Sequence, residues 1–375
     1  MLLPWLFYPL ILVLIQKIKK KKIVFKQNKD TLNLNICFVI AAFNEQTIFE
    51  KKIKNILDNT KNFKNTKILL ISDGSTDNTN KLGLKYKKKL KNFFFIVNKK
   101  RSGKAYCHNL ARSFCIKKNI EIMVFSDMET RYFKKTVFNL LNPFKDKKIG
   151  LTTGKIAFKN KNKNNRVEKS VNMYWKFEYF LRKLESDLNI LSTASGANFA
   201  VRTKLLKKIP LDQDTDFRTP IDISVSNKFC KHVENSWVED YNSNNAKQEF
   251  KTRIRMTSKN FYGTLSALKI KYIILRPKLF FSLYAHKILR WCTPYFNISL
   301  ILISCFNYNL IISKLILFAN SFFFVLVLIH KLNSKNIISL AAYNFLIANL
   351  GFFFGILKPF FFKINQHYQP TNKLN

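Results

Sequence analysis

The stretch KILLISDGSTDNTNKLGLKYKKKL (67–90) contains the pattern from which we predict the fold. Residues 67–73 form a short apolar run, which is typical of a strand buried on both faces of a parallel sheet. A polar turn with one glycine follows, and residues 75–90 then have helical composition. An apolar strand that passes through an acidic turn into a helix predicts one unit of an α/β fold.

The same unit is repeated along the first part of the chain. Strands are predicted at 35–43, 67–73, 92–98 and 120–127, and helices at 45–60, 75–90 and 103–118. This alternation predicts a mostly parallel sheet with right-handed crossover connections. We therefore predict an α/β domain over residues 30–278, a region of globular composition.

Polar residues follow the predicted strands at the points where the strands end. The four clusters are Asn44-Glu45, Asp73-Gly74-Ser75, Lys99–Lys104 and Asp127–Glu129. Sheets of this kind bind ligands at the carboxyl ends of their strands. One polar strand end is routine, but four that converge on one edge predict a binding site.

The residue types in these clusters suit a nucleoside diphosphate. Asp73 could accept hydrogen bonds from base or ribose groups, and Gly103-Lys104 opens a helix whose free N–H groups and cation suit phosphate. Asp127 and Glu129 offer oxygen ligands for Mg²⁺ or Mn²⁺ bridging a diphosphate. No P-loop and no dinucleotide-binding glycine fingerprint is present. Phosphate is therefore predicted to be held mainly through a divalent cation and strand-end groups.

Structural alternatives exist for some of these residues. Asp73 could be an ordinary turn residue, and Glu45 could be an acid that the dipole favours at a helix N-terminus. Glu178 and Glu185 are seven residues apart and share a helix face with Trp175. That face could be solvated or packed as readily as it could bind an acceptor. The five histidines form no ligand cluster, and we assign them no catalytic role.

Composition limits the classes of partner. The 375 residues include 65 Lys and Arg against 22 Asp and Glu, a formal net charge of +43. The lysines are scattered among Asn, Ile and Phe, so we predict a basic face beside anionic lipid and no nucleic-acid partner. The six cysteines have no paired ligand spacing, and we predict reduced core thiols rather than disulfides or a zinc site.

Both ends of the chain have apolar segments. Residues 1–22 combine an apolar run (2–16) with the basic run KIKKKK (17–22), which predicts a membrane anchor whose basic end is cytoplasmic. Residues 279–291 alternate aromatic and basic residues, which predicts a helix lying in the membrane interface. Three further apolar blocks, each able to span a membrane or form a hairpin arm, are 293–306, 310–330 and 337–357. The number of spans stays open, because one block could be re-entrant. A tail (358–375) ends the chain.

Four motifs together resemble the family-2 inverting glycosyltransferases of GT-A fold. The segments are VIAAFNEQ (39–46), ISDGSTDNT (71–79), RSGKAYCHNLA (101–111) and VFSDMET (124–130). The last resembles the D-x-D metal motif of the family, with Glu129 in place of the final Asp or Asn. The resemblance implies that nucleotide-sugar is bound by Ala41, Phe43, Glu45, Asp73, Lys104 and Asp127, and metal by Asp127 and Glu129.

The second half of the chain extends the resemblance. NMYWKFEYFLRKLES (172–186) is similar to a helix of membrane-bound polysaccharide synthases, and SGANFAVRTKLL (195–206) resembles their acceptor-side segment. In DTDFRTPIDIS (214–224) the resemblance implies Asp216 as catalytic base, with Thr215 where the family has a preceding acid. Asp222 is the rival candidate.

A basic segment follows where processive members carry Q-x-x-R-W. Here EFKTRIRM (249–256) keeps Arg253 and Arg255 but lacks the Gln and Trp. The resemblance implies that these arginines contact the leaving diphosphate. HYQPTNK (367–373) is similar to a tail found in some of these synthases.

The resemblance implies a membrane enzyme with a cytoplasmic GT-A domain. Residues 30–135 would form its nucleotide-sugar half and residues 136–278 its acceptor half. Such an enzyme would transfer a sugar, with inversion and with Mg²⁺ or Mn²⁺, to a growing polysaccharide or lipid-linked glycan. The alternative is a catalytically inactive assembly subunit that keeps the fold, which Thr215 and Glu129 leave open.

Overall fold

The structure is a computed structural model that describes residues 3–19, 29–159, 166–241, 246–332 and 336–362. Half of the predicted basic run after the N-terminal apolar segment (20–22), and the predicted tail motif 367–373, lie outside these residues. The helices are α1 (Tyr8–Lys19), α2 (Phe49–Thr60), α3 (Thr79–Lys89), α4 (Lys104–Lys117), α5 (Thr136–Leu141), α6 (Arg166–Asp187), α7 (Thr215–Val225), α8 (Ala246–Ala267), α9 (Ile270–Leu275), α10 (Pro277–Leu283), α11 (Leu289–Trp291), α12 (Thr293–Phe306), α13 (Ile311–Lys331) and α14 (Ile337–Phe361). The strands are β1 (Asn35–Ala42), β2 (Asn65–Asp73), β3 (Phe93–Asn98), β4 (Ile122–Phe125), β5 (Arg131–Tyr132), β6 (Ile149–Lys159), β7 (Phe199–Arg202) and β8 (Phe229–Tyr241).

The described strands form one sheet in the order β3-β2-β1-β4-β7-β6-β8-β5. Strands β3, β2, β1 and β4 are mutually parallel, β7 is antiparallel to both β4 and β6, and β8 is parallel to β6. The predicted α/β class is confirmed, and the sheet is mixed beyond β4.

Strand β1 shows why the parallel strands read as continuous apolar runs. Ile36, Phe38 and Ile40 pack into one core, and Cys37 and Val39 pack into a second core on the opposite face. Side chains alternate between the two faces of a strand, so a strand covered on both sides must be apolar at every position. Strands β2 and β4 divide their residues between the same two cores.

Helices α2 and α3 begin four residues later than the sequence predicted. The intervening turns are tied to each other across the sheet edge. Asn44 Oδ1 accepts from the Thr76 backbone N–H at 2.8 Å, and Thr79 Oγ1 accepts from the Glu45 N–H at 2.9 Å. Because α2 starts at Phe49, Glu45 is not in its first turn, and the helix-dipole alternative for Glu45 is wrong.

A close backbone approach joins β6 to its neighbours at Gly154. A Cβ built there would lie 2.2 Å from Asn198 Nδ2 and 2.5 Å from the Ser236 carbonyl oxygen. The Asn198 amide donates to the carbonyls of Lys155 and Ser236, so it cannot move without losing those bonds. The glycine is therefore required by packing.

We expect Gly154→Ala to destabilise the protein by about 1–3 kcal/mol, as overpacking does elsewhere. Denaturant unfolding of the intact chain in detergent would measure the change. Gly263→Ala is the matched control, since its Cβ would meet only Gln213 atoms at 3.5 Å. Near the C-terminal end of α8 that alanine should be neutral or stabilising. Equal stability of the two variants would contradict the packing explanation.

Two described helices, Ile311–Lys331 and Ile338–Phe361, are long and apolar enough to cross a membrane. The pair Pro277–Trp291 and Thr293–Phe306 passes the same test only as one unit, and it is bent by 60°. The predicted N-terminal anchor is weaker, because its helical part is short and Tyr8 and Leu12 are buried in the protein.

The cysteine prediction needs one correction. All six thiols are free; Cys37, Cys107, Cys115 and Cys230 are buried, as expected of core thiols. Cys305 is exposed on α12, however, because that apolar helix covers little of the domain.

Candidate active site

Residues at the carboxyl ends of β1, β2 and β4 line a cleft of about 420 Å³. All the residues that the sequence assigned to donor, metal and base line this one cleft, namely Ala41, Phe43, Glu45, Asp73, Lys104, Asp127, Glu129, Asp216, Arg253 and Arg255. The parallel strands end on a common edge, and α7 and α8 supply the opposite wall.

Asp73, at the end of β2, binds the loop that starts α4. Its Oδ1 accepts from the Ser102 backbone N–H at 2.8 Å, and its Oδ2 accepts from the Gly103 N–H at 2.7 Å. Gly103 has a φ of 92°, a conformation that glycine adopts without strain. A carboxylate of the protein therefore already occupies the Gly103 N–H. That the N–H groups of the helix beginning at Lys104 bind phosphate stays a prediction.

Lys104 and Asp127 form a half-buried ion pair, with 2.5 Å between Nζ and Oδ1. Burial disfavours the Lys104 cation, but the Asp127 carboxylate outweighs burial, so the pKa of Lys104 is raised. The carboxylate that the sequence assigned to a metal thus already attracts a cation in this structure.

The turn after β4 is suited to a divalent cation that a ligand helps to bind. The described residues contain no group of three or more His, Cys, Asp or Glu arranged for a metal ion. Asp127 and Glu129 nevertheless line the cleft together. Mg²⁺ sites often use only one or two carboxylates and complete their shell with substrate phosphates and water. The donor set therefore fits a metal that arrives with a diphosphate.

Lys52 holds the turn after β4 in place through hydrogen bonds, and the sequence analysis did not select it. Its Nζ donates to Ser126 Oγ at 2.7 Å and to the Thr130 carbonyl oxygen at 2.6 Å. Burial lowers the pKa of Lys52 to about 7, against the attraction of Asp127 and other nearby carboxylates. The signal was present in the sequence: Lys52 lies beside Ile53 on the buried face of α2, where a lone lysine is unusual.

Asp216 lies in the first turn of α7, against the segment that resembles the acceptor side. Its Oδ2 would be 3.0 Å from a Cβ on Gly196, and its backbone carbonyl accepts from the Ala194 N–H. Burial, together with the neighbouring Asp214 carboxylate, raises the pKa of Asp216 to about 6, while Lys104 opposes the rise. Such a pKa suits a general base near neutral pH.

The rival, Asp222, is held on the far side of α7. Its carboxylate accepts from Arg218 Nε at 3.1 Å and lies 3.9 Å from Lys207 Nζ. Asp222 is absent from the described lining of the cleft. One and a half helical turns separate it from Asp216, which places the two side chains on different faces.

His108 is a second cleft residue that sequence analysis did not select. Its Nδ1 lies 2.7 Å from Thr215 Oγ1, directly before Asp216. Burial, with the nearby Lys104 cation, lowers the pKa of His108 to about 3, so the imidazole is neutral at physiological pH. The hydroxyl of Thr215, at the position where the family has an acid, therefore contacts a neutral imidazole. This contact holds the first residue of α7 in place.

The predicted arginines are partly engaged by the protein itself. Arg253 Nε donates to Glu249 at 2.7 Å, and its guanidinium lies 4.7 Å from the centre of the Tyr174 ring. Arg101, which was not among the predicted site residues, stacks on Phe43 at 3.7 Å. This stack stands at the end of the cleft that contains Asp73.

The paired glutamates of α6 are buried rather than solvated. Glu178 and Glu185 are 1% and 0% exposed. Their counter-charges come from the segment 284–291, where His286, Lys287 and Arg290 all bind these carboxylates. The three basic residues of the predicted interfacial helix are therefore directed at buried carboxylates, which must be paired. That 279–291 lies in the membrane interface stays a prediction.

A mixed sheet whose parallel strands end in carboxylates around one cleft, with apolar helices after it, is the arrangement expected of a GT-A fold. Residues 37–210 match the family model "Glycosyl transferase family 2". The chain thus carries a family-2 glycosyltransferase domain.

The curated relatives match about a third of the chain. Poly-beta-1,6-N-acetyl-D-glucosamine synthase of Staphylococcus aureus (strain COL) is 29% identical over 135 residues, which is 36% of this chain and 31% of the relative. The same protein from strain MSSA476 matches equally. The chain thus spans about a third of the length of the curated relatives it matches.

A solved structure resembles the chain over most of its length. The mannosyltransferase PcManGT from Pyrobaculum calidifontis, in complex with GDP-Man and Mn²⁺, has a TM-score of 0.62 and 16% identity. The similarity covers 91% of this chain and 94% of that one. At this identity the similarity establishes the fold alone.

Proposed function

We propose that this protein is a membrane glycosyltransferase that transfers a sugar from a nucleotide-sugar to a growing polysaccharide or lipid-linked glycan. The observation that carries the proposal is the convergence of Asp127, Lys104 and Asp216 in one cleft, from three separate elements. Both carboxylates act electrostatically on Lys104. The similarity to a synthase and to a mannosyltransferase supports the same class.

The residues of the cleft would have separate roles in an inverting transfer. Asp216 takes the proton of the acceptor hydroxyl as that oxygen attacks the anomeric carbon. Gly196 leaves room for its carboxylate, and the His108–Thr215 contact fixes the turn that carries it. One displacement from the face opposite the leaving group inverts the anomeric centre. Arg253 and Arg255 stand in the same cleft and suit the oxygens of the leaving diphosphate.

Asp127 and Glu129 would hold a Mg²⁺ or Mn²⁺ ion together with the donor diphosphate. When bound, such an ion neutralises the charge that develops on the leaving group. Lys104 pairs with Asp127 in the absence of donor. With donor bound, its cation would attract the phosphate oxygens. Lys52 keeps the turn in place through Ser126 and Thr130.

The domain would work at the cytoplasmic face of the membrane. The predicted positive-inside signal after the N-terminal apolar segment supports this orientation. The two helices that can cross a membrane follow the domain directly. A nucleotide-sugar donor would therefore come from the cytoplasm, and the acceptor would reach the cleft beside those helices.

The proposal is tested by release of sugar from UDP-, GDP- and TDP-sugars by the protein in membranes. We expect turnover of one donor with Mn²⁺ or Mg²⁺, and loss of that turnover in EDTA. Restoring the ion should restore turnover, which separates metal removal from denaturation. No turnover of any donor in native lipid would overturn the proposal and favour the inactive assembly subunit.

The pH dependence follows from the raised pKa of Asp216, about 6. Only the deprotonated carboxylate can accept a proton, so kcat should fall as pH falls through 6, by about tenfold per unit below it. Asp214→Asn removes the carboxylate that raises this pKa, so its acid limb should move to lower pH. Rate profiles of the two proteins, recorded from about pH 4.5 to about pH 8, measure the shift. A limb that does not move would exclude Asp216 as its origin.

A further inference from the structure

A cluster of cations surrounds Glu178 on α6. Its carboxylate binds Lys287 Nζ at 2.6 Å and Arg290 Nη1 at 3.0 Å. Arg182, one turn further along α6, donates to the same carboxylate from Nε at 3.1 Å. Lys287 belongs to a π-helical turn, Tyr284–Ile288, between α10 and α11. Turns of this kind occur frequently at functional sites.

Arg290 has hydrogen-bond donors that the described part of the chain does not use. The residue is 1% exposed, yet its Nε and Nη2 have no hydrogen-bond partner among the described residues. These two nitrogens lie on one edge of the guanidinium, the edge that binds a carboxylate or phosphate in bidentate fashion. The Trp5 ring, 4.9 Å away, offers a face to the cation but no acceptor in its plane. Buried charged donors without partners are costly, which points to a missing acceptor.

The surroundings of Arg290 are electropositive. Arg182, Lys287 and Arg290 stand against Glu178 and Glu185, an excess of one positive charge before His286 is counted. The pKa of the nearby Tyr174 responds to the same positive field. Burial and Glu178 act to raise its pKa, yet nearby cations, Arg290 first among them, lower the pKa of Tyr174 overall. An anion would therefore be attracted to this point.

The cluster lies in the cleft beside the apolar helices. Arg182, Lys287, Arg290 and Phe352 of α14 all line the cleft that contains Asp216. A Cβ on Gly351 of α14 would lie 2.6 Å from Arg253 Cβ, so α14 packs directly against α8 at Arg253. The metal-site turn, in contrast, comes from the strand ends of the sheet. An anion bound at Arg290 would thus be held where the site meets the helices that can enter a membrane.

We propose that Arg290 and Lys287, with Arg182, bind the phosphoryl group of a lipid-linked acceptor. The inference rests on the proposed function, because it names the acceptor class of the same cleft. Arg290 presents a bidentate edge, Lys287 adds a point charge, and α14 lies beside them to guide the apolar chain. Glu178 positions both cations while no acceptor is bound.

Thermal unfolding of the intact chain in detergent tests this assignment through binding alone. The probes are a polyprenyl phosphate, the polyprenol of equal length, and a nucleoside diphosphate with Mn²⁺. We expect the phosphate, and not the alcohol, to raise the unfolding midpoint. Arg290→Gln should weaken polyprenyl-phosphate binding by about 10- to 100-fold, and Arg290→Lys, which keeps charge without the fork, by less. Arg276→Gln, outside the described cleft lining, is the matched control and should bind as wild type does.

Arg290→Lys keeps the test decisive if Arg290→Gln fails to fold, because it keeps the positive charge that pairs with Glu178. It loses only the bidentate edge, so it should still weaken polyprenyl-phosphate binding, whereas a purely structural cluster predicts binding equal to that of the wild type. A response to nucleoside diphosphate but to neither lipid would overturn the inference and leave the proposed function standing. No response to nucleoside diphosphate, with no donor turnover, would overturn the proposed function itself. Loss of nucleoside-diphosphate binding alone in Arg290→Gln would assign the cluster to the donor.

Discussion

Asp216→Asn should abolish sugar transfer while the protein stays folded. The amide occupies nearly the same volume beside Gly196 but cannot accept the proton of the acceptor hydroxyl. Loss of a positioned general base costs about 10²–10⁴-fold in rate. The substitution also removes a buried charge whose pKa is raised to about 6, so no loss of stability is expected at neutral pH. Transfer rates with saturating donor, beside unfolding curves, measure both effects.

Asp222→Asn is the matched control for this variant. Both acids lie on α7, but Asp222 is paired with Arg218 and lies away from the cleft. Its replacement should lower stability, because Arg218 loses its carboxylate partner, and should leave kcat near that of the wild type. If Asp222→Asn removed transfer while Asp216→Asn retained it, the base would have to be reassigned.

Asp127→Ala should reduce donor turnover by about 100-fold or more. The substitution removes one of the two carboxylates offered by the turn after β4, and it also leaves Lys104 without its 2.5 Å partner. Turnover of the best donor, titrated with Mn²⁺, should show a higher metal requirement as well as a lower maximum. Both changes follow from weaker joint binding of ion and diphosphate.

Asp58→Ala supplies the control for Asp127→Ala. Asp58 is an exposed acid on α2 and does not belong to the described lining of the cleft. Its loss should leave both the metal titration and the turnover unchanged. An Asp127→Ala protein with wild-type turnover and an unaltered Mn²⁺ dependence would remove Asp127 from the proposed site.

Much of the domain was determined by local sequence pattern. The runs 36–42, 68–71 and 122–125 are apolar at consecutive positions because both faces of each strand are covered. Their polar ends fall on one edge because the strands are parallel, so Asp73, Asp127 and Glu129 could be placed in one site from sequence alone. Asp216 followed from motif resemblance, and the structure places it in the same cleft.

Only the tertiary structure decided which partners these residues have. It showed that Asp73 accepts a hydrogen bond from the Gly103 N–H, that Lys52 donates to the turn after β4, and that Asp222 forms an ion pair with Arg218. It also showed that the basic residues of 284–291 contact Glu178 and Glu185, which lie more than 100 residues earlier in the chain. A side-chain pattern reports which face of an element is buried, but not which distant element covers it. Pairing across such separations is set by how helices and sheet pack, and that is where the charges of this site find their partners.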